Sequence, residues 1–447
     1  MATIDVATIR GAQNWTDASI WQGGVVPGAG DTAVIELHSD YEVQITSAVT
    51  VQELDYGWRN SALIESGSGS ITAHAFRIVD GSAVFENANS FDYVGVDGGT
   101  VFMGNDHALG TKALHTGGGT IADDGLNINL HNKLDMQQGA SFAATAGHTL
   151  TVSGIMEFDP IFANSQVAFL FGAMNSNHWH TPQFGGTVDI TGTTFDIGGQ
   201  PNTTEYINID HGIVKSGKGA HSAAANAMFS DATEVVMLGG TLDVRNFGAD
   251  VTLHKLEGLS GEVLGNSSVD IHAIDPNYKG TLDNVTMELS GTGLIGGNME
   301  HSRFTMAAGT NTMDFSAATA GDVTISAPDG SSSTITVGAK TWEHFTDFQD
   351  GNIVVDTTTA STAHFDFVAE PTDLKLVIHP GGGAKAYDLF FNGLASSDGI
   401  TVGDDGHGHL EVTWTGAGGI PAQSDHAIDV INHAAQAAFV PLVHDGF

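Results

Sequence analysis

The chain has 447 residues, with 58 glycines, no cysteine, and 14 Lys and Arg against 52 Asp and Glu, a formal net charge of −38. The lack of cysteine excludes disulfides, thiolate metal sites and cysteine nucleophiles, and so acidic a surface repels nucleic acid and anionic membrane. With 41% hydrophobic residues, 10 prolines and no Gly-X-Y period, the composition fits a folded chain rich in tight turns, not collagen or a disordered Gly/Pro polymer.

In chain order, the opening Met1-Ala2-Thr3-Ile4-Asp5-Val6 shows neither a basic n-region nor an apolar h-region, so no ordinary signal peptide is expected. Strand-length apolar or alternating runs follow at Val34–Leu37, Tyr41–Ile45, Ile71–Phe76, Leu150–Val152, Val188–Ile190, Leu242–Val244, Val269–His272, Val323–Ile325 and Ile335–Val337. Four copies of Gly-Gly-Thr-aliphatic punctuate this stretch, at Gly98–Val101, Gly118–Ile121, Gly185–Val188 and Gly239–Leu242. Each joins a flexible turn to a residue that prefers extended backbone. No linker cuts the β texture into sandwich-sized units, and Asn-Gly hairpin signals are nearly confined to Asn392-Gly393. The expected fold is therefore an all-β, right-handed parallel β-helix (β-solenoid) over residues 1–345, with an N-terminal cap over about residues 1–35.

The texture changes near residue 346, where Phe345, Phe348, Phe365, Phe367, Phe390 and Phe391 raise the aromatic density and Pro371 and Pro380 interrupt it. Tyr387–Phe391 and Leu410–Trp414 read as strands, and Ile428, Ile431, Ala435, Ala438 and Phe439 fall at helical spacing over 427–440. Residues 346–447 are expected to form a β-rich region that covers an open solenoid end, an assembly module carrying an export signal. The apolar run Val167–Phe171 is too short to span a bilayer, so no membrane span is expected.

The stretch Asn14-Trp15-Thr16-Asp17-Ala18-Ser19-Ile20-Trp21, followed by Gly23–Ile35 with its Pro27-Gly28 turn, resembles the opening of bacterial secreted β-helix proteins of the autotransporter-passenger kind. Residues 231–264, with Leu238-Gly239-Gly240-Thr241-Leu242 and Leu256-Glu257-Gly258-Leu259-Ser260-Gly261, are similar to passenger repeats. The resemblance implies an exported, extracellular or cell-surface protein. No room remains for a membrane barrel, and Val440–Gly446 lacks the alternation of a barrel strand, so an uncleaved C-terminal signal of the type I secretion kind is the expected route.

Chemistry-bearing motifs are few. Asn208-Ile209-Asp210, Asp123-Asp124 and Gly406-His407-Gly408 each match a fragment of the polygalacturonase-like pattern, but their order and spacing do not, and coincidence in a Gly- and Asp-rich chain accounts for them. A lyase reading needs an acidic calcium cluster with Arg or Lys; none of the five arginines sits in such a motif. His178-Trp179-His180 is weighed as a metal or sugar-stacking element against an exposed loop. Asp404 and Asp405 are the candidate calcium ligands, weighed against a polar hairpin turn. No catalytic residue and no required cofactor is expected, calcium being the one ion considered.

The function expected is non-enzymatic: a bacterial surface-layer, matrix or filament subunit that associates with itself, or an adhesin for cell-surface polysaccharide. A carbohydrate-active β-helix enzyme and a phage tail or spike fibre are the alternatives. Protonating all 21 histidines moves the formal charge from −38 to −17, so mild acid should favour association.

Overall fold

A computed structural model describes residues 2–414 apart from 8–10, 37–40, 159–165, 172–186, 191–194, 197–203, 217–227, 230–233, 247–250, 254, 259, 266–268, 272–277, 279, 290, 322, 329–330, 339–342, 347–351, 370–372, 381–385, 393–396 and 398–399. The Gly185-Gly186 corner, His178-Trp179-His180 and the helical pattern at 427–440 lie outside the described residues. What is described is nearly all β, coiled as a solenoid of parallel stacked strands. The chain forms two compact units, which divide at Thr286 and Met287. No helix among the described residues is long and apolar enough to cross a membrane.

In the first unit, register defines the rungs. One inward position is filled in turn by Ile4, Ala33, Leu54, Phe76, Val94, Leu114, Leu134 and Met156, each hydrogen-bonded in parallel to the next strand. All eight are buried. A second wall repeats the device with Val43, Leu63, Ala83, Val101, Ile121 and Phe142. A third does so with Ile128, Leu150, Val188, Val214, Leu242, Val263 and Leu282. Alternating strands put these side chains on one face, and each Val, Leu, Ile, Met or Phe among them contributes about 1.5–3 kcal/mol by leaving water.

The second wall departs from alternation. On its opposite face Val84, Phe102, Ala122 and Ala143 stack with partly buried Ile64. Because both faces are apolar, Thr100–Met103 is buried at every position and reads as a continuous run. Ala48–Glu65 and Ser70–Phe85 are long strands that bend through a corner, with register shifts at Tyr56 and Gly57.

The N-terminal segment is sealed by two indoles. Trp15 and Trp21 are buried edge to face at 4.7 Å, and Trp21 Nε1 donates to the Trp15 carbonyl at 2.8 Å. Asp17 caps the short turn between them, accepting from Ser19 N at 2.9 Å and from Ser19 Oγ at 2.7 Å. The segment resembling a passenger opening therefore has a local structural task.

The Gly-Gly-Thr corners serve two different walls. Thr100 and Thr120 are register partners in the second wall, whereas Thr187 and Thr241 belong to the third. In the described copies the second glycines answer to space rather than to a positive φ. A Cβ on Gly119 would lie 2.5 Å from Val96 Cγ1 and 2.8 Å from the Val96 carbonyl; on Gly240 it would lie 2.7 Å from Ile209 Cγ2. The close approach lets Thr120 N reach the Gly99 carbonyl at 2.8 Å and Thr241 N reach that of Gly212 at 2.8 Å.

Buried polar side chains replace missing backbone partners at other corners. Asn89 accepts from Ile71 N at 2.6 Å and donates both to the Ala108 carbonyl and to Glu65 Oε2 at 3.0 Å, joining three successive coils. Glu65 itself is fully buried, in register with Ile45 of the preceding coil, while its chain neighbour Ile64 pairs with Val84 of the next. Desolvation pushes its carboxyl up to about 7, against the stabilising donors Asn89 and Asn87, with Glu86 adding repulsion.

The second unit begins in the same way. Phe304, Ile325, Phe345 and Phe391 form one parallel inward ladder, and Met313, Ile335 and Val354 another. Beyond these the direction reverses: His364–Ala369, Asp373–His379 and Tyr387–Asn392 form an antiparallel meander. Ile400–Asp404 and His409–Trp414 form a hairpin that adds antiparallel to Ile353–Thr359. The change of texture near residue 346 thus coincides with a change of strand direction, within a unit that starts at Met287.

Two tests follow from this packing. Gly119→Ala should destabilise the protein by about 2–3 kcal/mol, since its Cβ collides with fixed backbone, while Gly30→Ala, with nothing within 4 Å, should stay within about 0.5 kcal/mol in thermal melts followed by circular dichroism. For Glu65 the folded state holds a proton the unfolded chain has lost, so stability falls as pH rises from about 4.5 to about 7. Glu65→Gln should flatten that window and gain about 2–3 kcal/mol over the parent above pH 7, measured by urea unfolding.

Candidate functional site

The outward row of the first wall collects the unit's most varied polar chemistry. In register order it runs Asp55, Arg77, Gly95, His115, Asp135 and Glu157, with Tyr93 and Asp97 flanking Gly95. These residues sit on neighbouring strands because the inward ladder beside them fixes the register; a slip of one residue would bury the charges. Gly95 gives room for its neighbour, since a Cβ there would lie 3.2 Å from Tyr93 Cε1.

Contacts run along the row from coil to coil. The Arg77 guanidinium lies 5.3 Å from the centre of the Tyr93 ring. Tyr93 stacks on His115 at 4.6 Å with the planes 20° apart, and His115 Nδ1 is 3.2 Å from Asp135 Oδ2. Beside them, Lys133 Nζ pairs with Glu157 Oε2 at 2.7 Å. Desolvation raises the carboxyls of Asp55 and Asp97, and Arg77 pulls both back down; Glu53 adds to the rise at Asp55, and His115 opposes it at Asp97. The Tyr93 hydroxyl is raised as well, first by desolvation and then by Asp97. Arg77 is therefore the electrostatic centre of the row.

Chemically, the row offers a cation between two carboxyls held above their ordinary range, with a stacked phenol and imidazole next to it. Asp55 and Asp97 stand on strands two coils apart, about 10 Å along the stack. Sequence reading did not find this row: Arg77, Tyr93, His115 and Asp135 are separated by 16, 22 and 20 residues and form no motif. The signal that could have found it is the apolar ladder, whose members Phe76, Val94, Leu114 and Leu134 each precede a row position by one residue.

The motifs singled out from sequence have local partners. Asp123 is buried, accepting from Gly125 N at 2.9 Å, from Thr145 N at 2.6 Å and from Thr145 Oγ1. Asn208 lies three coils further along the same sheet, and Asp210 meets His211 Nδ1 at 3.2 Å.

Asp404 and Asp405 close the 404–409 hairpin. Asp404 Oδ1 accepts from Gly406 N at 2.8 Å and Gly408 N at 3.2 Å; Asp405 Oδ1 accepts from His407 N at 2.6 Å and His409 N at 3.0 Å. His409 Nδ1 lies 3.0 Å from Asp405 Oδ2. Some water is lost around Asp405, but these donors outweigh that and hold its carboxyl below the ordinary range. Gly406 and Gly408 supply the positive φ the turn needs.

The ordering of the row is testable. Arg77→Ala should raise the titration midpoints of both Asp55 and Asp97 and leave Asp189, which Lys215 attends, unmoved, as read from carboxyl carbon shifts across pH. No family model, curated protein or solved structure matches this chain.

Proposed function

We propose that the protein is an exported structural solenoid that associates with copies of itself at the bacterial surface or in an extracellular matrix. One observation carries the reading. Among the described residues, His364–Ala369 ends its sheet, paired on one side only, to Asp373–His379. Phe365 and Phe367 stand opposite fully buried Ile378 and Leu376, so the apolar row of the sheet runs on to its last strand. There Phe365 is 40% exposed, and Val368, on the opposite face and in register with Lys375, is 41% exposed. An open strand edge with an apolar face is a template for another strand, and a second copy of this edge satisfies its backbone and its aromatic rings together. Asp366 and His364, both exposed, temper the edge with polar groups, and the large negative charge of the chain makes association depend on counter-ions or protonation.

A second reading, a carbohydrate-active enzyme, draws support from the Asp55, Arg77 and Asp97 row, where raised carboxyls flank a cation. It requires Asp55→Asn and Asp97→Asn each to abolish polysaccharide cleavage.

For the structural reading, sedimentation velocity at rising protein concentration should show self-association that the double variant Phe365→Lys, Val368→Lys reduces by about tenfold or more, with the far-ultraviolet spectrum unchanged. A parent chain that stays monomeric from pH 8 to pH 5, with or without calcium, overturns it.

A further inference from the structure

We propose that the recess between the 104–107 and 124–128 turns of the first unit binds one neutral hexose unit of a glycan. The inference is independent of self-association, because the recess and the edge strand belong to different units and share no residue. The recess is open and has a volume of about 370 Å³, within the roughly 300–1,000 Å³ of small-ligand sites. Its lining combines Asn105, Asp106, His107 and Asn127 with Leu126, whose side chain stands 50% exposed at the rim.

The valences of these groups define the ligand. Asp106 Oδ1 accepts from Asn129 N at 2.8 Å, which orients the carboxylate. Asn105 Oδ1 accepts from His107 N at 2.9 Å, and Asn127 Oδ1 accepts from Thr149 N at 2.9 Å. Each amide oxygen is thus engaged by the turn, and each Nδ2 remains as a donor. His131 packs edge to face on His107 at 4.8 Å, and its Nδ1 lies 3.2 Å from the Asn129 carbonyl.

A carboxylate held by the turn and two amide donors, with the His107 ring in the lining and one exposed aliphatic side chain, match the alternating hydroxyls and apolar C–H face of a pyranose. No lysine or arginine is among the described residues that line the recess, and the carboxylate repels phosphate and uronate. The class is therefore a neutral sugar. An open recess of this size engages one residue, and a polymer gains affinity by repeated contact.

Saturation-transfer NMR on the full chain tests the site with methyl glycosides of glucose, mannose and galactose, and with methyl glucuronoside as the anionic counterpart. At least one neutral glycoside should receive saturation and bind more tightly than the glucuronoside. Asp106→Asn keeps an acceptor for Asn129 N and so spares the turn, yet should weaken binding about tenfold or more; Leu126→Ser, at an exposed position, should also weaken it. The proposal is overturned by an absence of transfer to all three neutral sugars, by a preference for the glucuronoside, or by parent-like binding in both variants.

Discussion

Parallel coils about 4.8 Å apart leave no room to choose: whatever one rung places at a position, the rung above must accommodate. Nearly every local feature of this chain answers that constraint. Ile4 through Met156 fill one inward line with apolar side chains of differing size. The second glycines of the Gly-Gly-Thr corners vanish into the space that a Cβ would have taken from Val96 or Ile209. Where the backbone of a corner turns away from the ladder, Asn89 in the first unit and Asn311 in the second supply the missing hydrogen bonds. Such buried amides are tolerable only because they are satisfied on both sides.

The same constraint organises the outside. A residue that follows an inward ladder position is projected outward and stacked over its counterparts, so isolated side chains become rows. Arg77, Tyr93, His115 and Asp135 touch in sequence because their strands are in register. Contacts of this kind cost little order beyond what the ladder has already imposed, which is how Arg77 stays engaged in a chain poor in cations.

Much of the fold was legible and its register was not. Runs such as Tyr41–Ile45 and Leu150–Val152 announce strands by their own chemistry. The spacing of the inward line, however, is 22 residues from Leu54 to Phe76, 18 to Val94, then 20 to Leu114 and 20 to Leu134, because corners absorb insertions without moving the strands. That variation hides the repeat, and with it every row that depends on register. It also lets one tetrapeptide mark two different walls. The two-faced burial of Val84 and Phe102 was hidden for another reason: a continuous apolar run has no alternation to declare which face is which. At Asp404 and Asp405 the residues were visible, but their engagement by four backbone amides depends on the turn that they themselves close.

The 20-residue step from Leu114 to Leu134 has a consequence for how such a chain changes over time. Because each coil meets only its neighbours, the natural unit of gain or loss is a whole coil. Removing one complete step would bring the Val94 and Leu134 strands together with their faces preserved, whereas removing a single residue inside a strand would exchange inside for outside from that point to the next corner. Length is therefore a quantity this architecture can vary in discrete amounts, and the corners, which already differ in size from coil to coil, are where smaller edits are absorbed.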